Sequence, residues 1–205
     1  MKLYYAPGAC SLAPHIVARE AGLDLDLEKV DLGAHKTESG RDYMAINPKG
    51  YVPALEFGPG ETLTEASSVI QYLAEQAPAS GLVPTFGTPE RYRVLEWIGF
   101  ISTELHKGFG PLWNPETPEE VRQATIDKLR QRFAFLEQSL AKGPYLTGER
   151  FTVADAYAFT ILNWTNFHKI SLDDYPRIRA FMDRVAARPK VQQALREEGL
   201  LGKAA

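Results

Sequence analysis

The chain has 205 residues, of which 44% are hydrophobic and 24% charged, with a net charge of −3. That length can bury a sizeable core as one large domain or two small ones, and the composition is globular rather than disordered. The balance of charge leaves no basic excess for a nucleic-acid backbone, the single cysteine cannot form an internal disulfide, and no apolar run approaches the ~18 residues of a membrane span.

The start, "MKLYYAPG", lacks the apolar stretch of a signal peptide, so the expectation is a cytoplasmic protein with no membrane or nucleic-acid partner. "KLYYA" (2–6) is short and aromatic, as strands are. "SLAPHIVAREAGL" (11–23) places Leu12, Ile16 and Val17 on one side and stops at Gly22. Pro14 is tolerated only in a first turn, which sets the helix start near Cys10 and Ser11. "LDLEKVDL" (25–32) reads as a strand, and 33–50 is polar and irregular. "VPALEF" (52–57), the turn "GPG" (58–60) and "ETLT" (61–64) predict a β-hairpin. Val69, Ile70 and Leu73 then give helical spacing through 65–77.

"PASGLVPTFGTP" (78–89) is a Pro- and Gly-rich linker. Beyond it the pattern is helical. Residues 90–108 carry Leu95, Ile98, Ile101 and Leu105. "TPEE" (117–120) predicts a capping box with Pro118 at the first helical position, opening a helix lined by Leu129, Phe133, Leu136 and Leu140. "FTVADAY" (151–157) repeats that signature through Thr152 and Asp155. Ile178, Phe181, Met182 and Val185 mark a further amphipathic helix, ended by Pro189. The predicted architecture is an α/β domain over 1–80 followed by an all-α helical domain over 87–205.

Four places offer chemistry. Cys10 lies where unpaired N–H groups and the helix dipole favour an anion, whether its own thiolate or that of a ligand. On position alone an inert buried thiol is the more ordinary reading, and Ser11 is ambiguous, a candidate for the chemistry or a plain helix N-cap. A cis bond before Pro53 would present the Val52 backbone to a peptide-like ligand, although sequence does not choose the isomer. Glu65, Ala66 and Ser67 open a helix directly after a strand, where free N–H groups can receive a carboxylate or simply be capped. His106 and Lys107 close the first long helix of the second part, where cations complement the dipole. His15, His35 and His168 show no metal-ligand spacing, and no metal is expected.

Taken in order, "YAPGACS", "NPKGYVPAL", "LTEASSVIQYL", "ELHKGF" and "RFTVADAY" closely resemble the cytosolic glutathione transferases over essentially the whole chain. Cysteine in place of a lone Tyr or Ser, with His106 downstream, is similar to the bacterial beta class. The resemblance implies a thioredoxin-like N-terminal domain, an all-α C-terminal domain, glutathione as co-substrate and a homodimer built from the helix beginning at Glu65 and the long helix after the linker. It further implies detoxifying conjugation of the glutathione thiolate to small hydrophobic electrophiles. Two alternatives stand beside this: a glutathione-dependent thiol–disulfide or reductive dehalogenation reaction through Cys10, and a non-catalytic ligand-binding role.

Residue by residue, the resemblance implies Cys10 beside the glutathione sulfur and Val52, held by a cis Pro53, along the cysteinyl part. Glu65, Ala66 and Ser67 would hold the γ-glutamyl end, and Thr103, Glu104, His106 and Lys107 would close the site, with His106 near the sulfur. Tyr5 occupies the hydroxyl-donor position of other classes, and Asp155 with Thr152 matches a folding motif. His35 stands where a lysine is frequent and Gly99 where an asparagine is common, which puts those two glutathione contacts in question. Phe109, Leu112, Trp113 and Trp164 are the candidates for the apolar wall of the second substrate's pocket.

Overall fold

The computed structural model describes residues 1–58 and 60–201. Pro59, within the expected hairpin turn, and residues 202–205, at the end of the expected helical domain, lie outside the described residues. The chain forms two compact units, one of Met1–Val83 joined by the segment from Ala187 onward, the other of Pro84–Ala186.

The first unit is built on a five-stranded mixed sheet. Its elements are β1 (Lys2–Tyr5), α1 (Leu12–Glu20), β2 (Asp26–Asp31), β3 (Lys36–Thr37), β4 (Ala54–Gly58), β5 (Glu61–Thr64) and α2 (Ala66–Glu75). The strand order is β3-β2-β1-β4-β5. β1 is the central strand, with Leu3 and Tyr4 buried on opposite faces, and it pairs parallel to β2, Leu3 opposite Leu27. A parallel pair requires a crossover, which α1 supplies. β4 runs antiparallel to β1 with Leu55 opposite Leu3, and the β4–β5 hairpin closes the edge. α1 buries Leu12, Ile16 and Val17, and α2 buries Val69, Ile70 and Leu73, so the expected stripes are the packed faces. A second apolar cluster of Tyr4, Val30, Tyr43, Val52 and Ala54, with Ala9 against it, lies beneath the loop that carries Cys10.

The segment 33–50 is more ordered than its polarity suggests: it contains β3 and a 3₁₀ turn at Tyr43–Ala45, started by Asp42 accepting the Met44 N–H. The sequence also gave no warning that the chain returns to this unit at its end. After α8 (Pro176–Ala186), Pro189 does not merely halt a helix but occupies the first turn of another, α9 (Pro189–Glu197), a position where a missing N–H costs nothing. α9 buries Val191, Ala194 and Leu195 and packs on α1. Charges seal the contact. Arg188 grips Glu20 with two bonds of 2.7 Å, and Arg19 meets Glu197 at 2.7 Å. His15, fully buried, lies between Glu197 at 2.7 Å and Glu198 at 2.9 Å. Compactness therefore groups α9 with the α/β unit, whereas the sequence pattern placed all of 87–205 together.

The helical unit contains α3 (Pro89–Phe100), α4 (Gly110–Trp113), α5 (Glu119–Ser139), α6 (Val153–Leu162), α7 (Trp164–Phe167) and α8. α3 is capped by Thr88, whose hydroxyl accepts the Arg91 N–H. It buries Val94 and Ile98, with Leu95 only half-buried beside them, and the buried stripe continues through Ile101 and Leu105 beyond its end. The helix expected to run through 90–108 is interrupted, because Ile101–His106 is a π-helical stretch and Lys107–Phe109 a 3₁₀ turn. The "TPEE" capping box does not form. Thr117 instead donates its hydroxyl to the Pro111 carbonyl at 2.7 Å, and α5 starts at Glu119 behind Pro118. The Thr152–Asp155 box does form, at the head of the wholly buried α6. Asp155 accepts the Leu146 N–H at 2.8 Å as well as the Thr152 N–H and hydroxyl. Burial pushes its carboxyl up to about 6 despite these bonds.

Two outcomes follow for the α1–α9 clamp. Burial draws the Glu197 carboxyl upward, but bonds from Gln193, Arg19 and His15 outweigh it and hold it at about 2, below its ordinary 4.5. Its stabilising contribution is therefore complete above the ordinary value and lost as pH falls toward the lower one. Urea unfolding of the wild type is expected to lose more stability between about pH 5 and about pH 3 than that of Glu197→Gln, and parallel profiles would refute this. Glu198→Ala, which strips His15 of a buried partner, is expected to cost about 3–5 kcal/mol in the same measurement.

Candidate active site

The loop between β1 and α1 is held from three sides. Ser11, expected as a side-chain cap, makes no capping bond. Its hydroxyl instead donates to the Ala6 carbonyl and accepts the Ala6 N–H, both at 3.2 Å, closing the loop on itself. Gly8 has a φ of 72°, which a side chain would resist, and its N–H reaches the buried Glu198 carboxylate at 2.9 Å. Cys10, 9% exposed, stands at the head of α1 with its thiol donating to the Val52 carbonyl at 3.1 Å. Tyr5 ends β1 beside this loop; burial, reinforced by the charge of Glu198, raises its hydroxyl above the ordinary value and keeps it a protonated donor.

Across from Cys10, the Val52–Pro53 peptide bond is cis. The preceding Tyr51 carbonyl accepts bonds from the Tyr43 hydroxyl at 3.0 Å and the Asn47 amide at 2.6 Å, so the backbone entering Val52 is fixed. The Val52 N–H has no partner among the described residues. His35 is exposed, with a φ of 51°, and lies against Gly50.

Glu65 adopts φ 71° and ψ 119°, a conformation that costs a non-glycine residue ~1–3 kcal/mol and persists where the surroundings over-determine it. Its carboxylate receives the Lys49 ammonium at 2.6 Å and the Tyr51 hydroxyl at 2.8 Å, while Lys49 also donates to Thr64. The bond to Glu65 holds Lys49 above its ordinary range. The twist at Glu65 starts α2 abruptly. Its carbonyl accepts the Ser68 and Val69 N–H groups, and those of Ala66 and Ser67 have no partner among the described residues. These are the orphan donors of a helix start, a site that suits a carboxylate.

In the helical unit, the π stretch adds a residue to the turn and carries Thr103, Glu104 and His106, with Lys107 following. Such insertions are frequent at functional sites. The His106 ring lies 2.6 Å from the Tyr157 hydroxyl through Nδ1 and meets the Trp164 ring edge-on at 5.0 Å. Thr103 donates back to the Gly99 carbonyl at 3.0 Å, and Gly99 is exposed with open space where a side chain would begin. Glu104 is turned to Arg132 of α5 at 2.7 Å. Phe109, Leu112 and Trp164 are buried, whereas Trp113 is 49% exposed over Trp164 and His168.

The first unit thus joins Cys10 to Val52 and Pro53, and separately gathers Glu65, Ala66 and Ser67 around a helix start. Sequence reasoning missed Lys49, Tyr51 and Tyr157. The first two stood inside "NPKGYVPAL", where a cation and a phenol two residues apart were the available signal. Tyr157 was the one polar aromatic in the apolar run "VADAYAFTIL".

Comparison with known proteins adds a separate line of evidence. The family model described as glutathione S-transferase, N-terminal domain matches residues 8–76, and the corresponding C-terminal domain model matches 100–189. The chain is 47% identical to glutathione S-transferase GstA of Escherichia coli O157:H7, over 98% of this chain and 100% of that protein. It is 44% identical to a sphingomonad glutathione S-transferase solved in complex with glutathione, with a TM-score of 0.94 over 98% of this chain and all of that one. A bacterial beta class glutathione S-transferase from Sphingomonas chungbukensis is 42% identical, with a TM-score of 0.94 and the same coverage of 98% and 100%.

The backbone at Glu65 gives a direct test. Both Glu65→Ala and Glu65→Gly lose the bonds to Lys49 and Tyr51, but only glycine relieves the positive φ. Glu65→Gly is expected to be more stable than Glu65→Ala by about 1 kcal/mol in thermal or urea unfolding. Equal stabilities would show that the backbone there is unstrained.

Proposed function

The chain belongs to the glutathione S-transferase family, and we propose that it binds glutathione along Val52 and the start of α2, holds the sulfur at Cys10 as the thiolate, and transfers it to small hydrophobic electrophiles. The observation that carries this reading is the set of N–H groups at Val52, Ala66 and Ser67 that have no partner among the described residues. Val52 offers one strand-like backbone donor to the cysteinyl part of the tripeptide, and the helix start offers two to the γ-glutamyl carboxylate. Glu65, pinned by Lys49 and Tyr51, supplies a negative charge for the γ-glutamyl ammonium.

A free thiol is mostly protonated at neutral pH, and the thiolate is the nucleophile. The head of α1 and the Cys10 S–H favour the anion, each pKa unit of lowering being worth ~1.4 kcal/mol. The thiolate then attacks an electrophilic carbon such as that of an activated aryl halide. A carbon–sulfur bond forms, halide leaves, and the thiol proton passes to solvent. Trp113, the exposed member of the aromatic set, is the candidate wall for the apolar substrate. A cytoplasmic setting suits both the free thiol and the demand for glutathione.

Cys10 also supports thiol–disulfide exchange: its thiolate attacks a glutathione disulfide, giving a protein–glutathione mixed disulfide and releasing one glutathione. Its placement at a helix head, where the dipole stabilises a thiolate, favours this second reading. The homodimer proposed from the helix at Glu65 and the long helix after the linker gains support from a groove of about 750 Å³. Trp97 and Phe100 of α3 and Phe135 of α5 line it, with Phe135 49% exposed.

In calorimetry the wild type is expected to bind glutathione, and Glu65→Ala to weaken binding roughly tenfold or more, a charge-assisted hydrogen bond being worth about 1.5–3 kcal/mol. Absence of binding by the wild type would remove the proposal. Cys10→Ala is expected to abolish mixed-disulfide turnover while retaining aryl-halide conjugation, and persistence of both would take Cys10 out of the chemistry. Sedimentation at micromolar concentration is expected to give a dimer, and Phe135→Glu to shift it toward monomer. A wild-type monomer would exclude that assembly.

A further inference from the structure

We propose that Tyr43 and Asn47 are positioning residues that aim the Val52 N–H at the cysteinyl carbonyl of glutathione, and so set part of the affinity without touching the ligand. The choice of ligand rests on the reading above that the tripeptide lies along Val52; the aiming of the N–H does not. Among the described residues the cis peptide bond is Val52–Pro53, so the Tyr51–Val52 peptide is trans. In a planar trans peptide the C=O of one residue and the N–H of the next point in opposite directions. Whatever holds the Tyr51 carbonyl therefore also directs the Val52 N–H.

Two buried side chains hold that carbonyl. The Tyr43 hydroxyl donates to it at 3.0 Å and the Asn47 amide at 2.6 Å. The Tyr43 ring packs in the cluster with Tyr4, Val30, Ala54 and the Val52 side chain itself, its centroid 5.9 Å from that of Tyr4. Burial pushes its hydroxyl up to about 12, outweighing an opposing bond with Asn47, so it stays a protonated donor. Asn47 is fixed at both ends of its amide. The nitrogen serves the Tyr51 carbonyl and the oxygen accepts the Lys49 N–H at 3.2 Å, and one orientation of the amide alone meets both demands. Its backbone is tied as well: its N–H donates to the Tyr43 carbonyl at 2.8 Å, and its own carbonyl accepts the Gly50 N–H at 2.9 Å. At the far side of the held peptide, Val52 is 2% exposed and its N–H has no partner among the described residues. A backbone donor so little exposed is costly to leave unpaired, and a ligand carbonyl running alongside supplies the missing bond. Hydrogen bonds in series also polarise one another, so two donors on the Tyr51 oxygen make the Val52 N–H a stronger donor.

The test uses Tyr43→Phe in the full-length protein, which keeps the ring in its cluster and removes one of the two donors. Calorimetry compares glutathione with an analogue whose cysteinyl–glycyl amide is an ester, a weaker acceptor at the same carbonyl. Tyr43→Phe is expected to weaken glutathione binding about fivefold and to change binding of the ester by no more than about twofold. Equal losses for the two ligands would show a general loosening of the site, or an effect carried through the Tyr51 hydroxyl to Glu65, and would overturn the proposal. An unchanged glutathione affinity would overturn it too. Asn47→Ala is expected to discriminate between the ligands in the same sense, and where it does not fold the Tyr43→Phe result decides alone. A second readout needs no ligand: in Tyr43→Phe the Tyr51 carbonyl carbon-13 and Val52 amide proton resonances are expected to move upfield, and unchanged resonances refute the aiming. Failure of the wild type to bind glutathione would remove the functional reading, while these resonances still decide how the Val52 N–H is held.

Discussion

One buried carboxylate sets the geometry of the Cys10 loop. Glu198, near the end of the chain, is removed from solvent and reaches both the Gly8 N–H and the ring of His15. A charge in such a place survives only when its oxygens are fully engaged, so loop, helix α1 and the end of α9 must adopt one mutual arrangement. Ser11 completes the constraint from the other side by binding both backbone groups of Ala6. The thiol is thereby delivered to the Val52 carbonyl by a loop with almost no freedom of its own. Through Glu198 the end of α9 braces the loop that carries Cys10, so α9 packs with the α/β unit.

Irregular backbone performs the remaining placement. Glu65 leaves the favoured backbone regions at the turn from β5 into α2, and Lys49 and Tyr51 hold its side chain while α2 holds its carbonyl. The π stretch does the corresponding work in the helical unit, letting Glu104 reach Arg132 while His106 reaches Tyr157. In both cases regular elements with buried faces flank the irregular turn and absorb its cost. Exposed polar groups and a rigid framework are thus obtained from adjacent residues.

Much of the fold was legible because burial imposes period. The stripes Leu12–Ile16–Val17, Val69–Ile70–Leu73 and Leu129–Phe133–Leu136 are the faces that pack, and "FTVADAY" forms the box its spacing foretold. "TPEE" has the same letters in the same order and forms none, because Thr117 finds the Pro111 carbonyl, a partner that local pattern cannot register. The π stretch was equally invisible, since Ile98, Ile101 and Leu105 fit an unbroken α-helix as well as an interrupted one.

The order of "YAPGACS", "NPKGYVPAL", "LTEASSVIQYL" and "ELHKGF" determined the family, the two-part architecture and Cys10, Val52, Glu65 and His106 as candidates, because those residues are spaced along the chain as the elements are. Tertiary structure alone decided the cis state of Pro53, the partnership of Lys49 and Tyr51 with Glu65, the turning of Glu104 away to Arg132, and the allegiance of α9 to the first unit. Each of these depends on groups brought together from separate segments, and a polar side chain's choice among such partners is set by distance and desolvation in the folded chain, neither of which local sequence encodes.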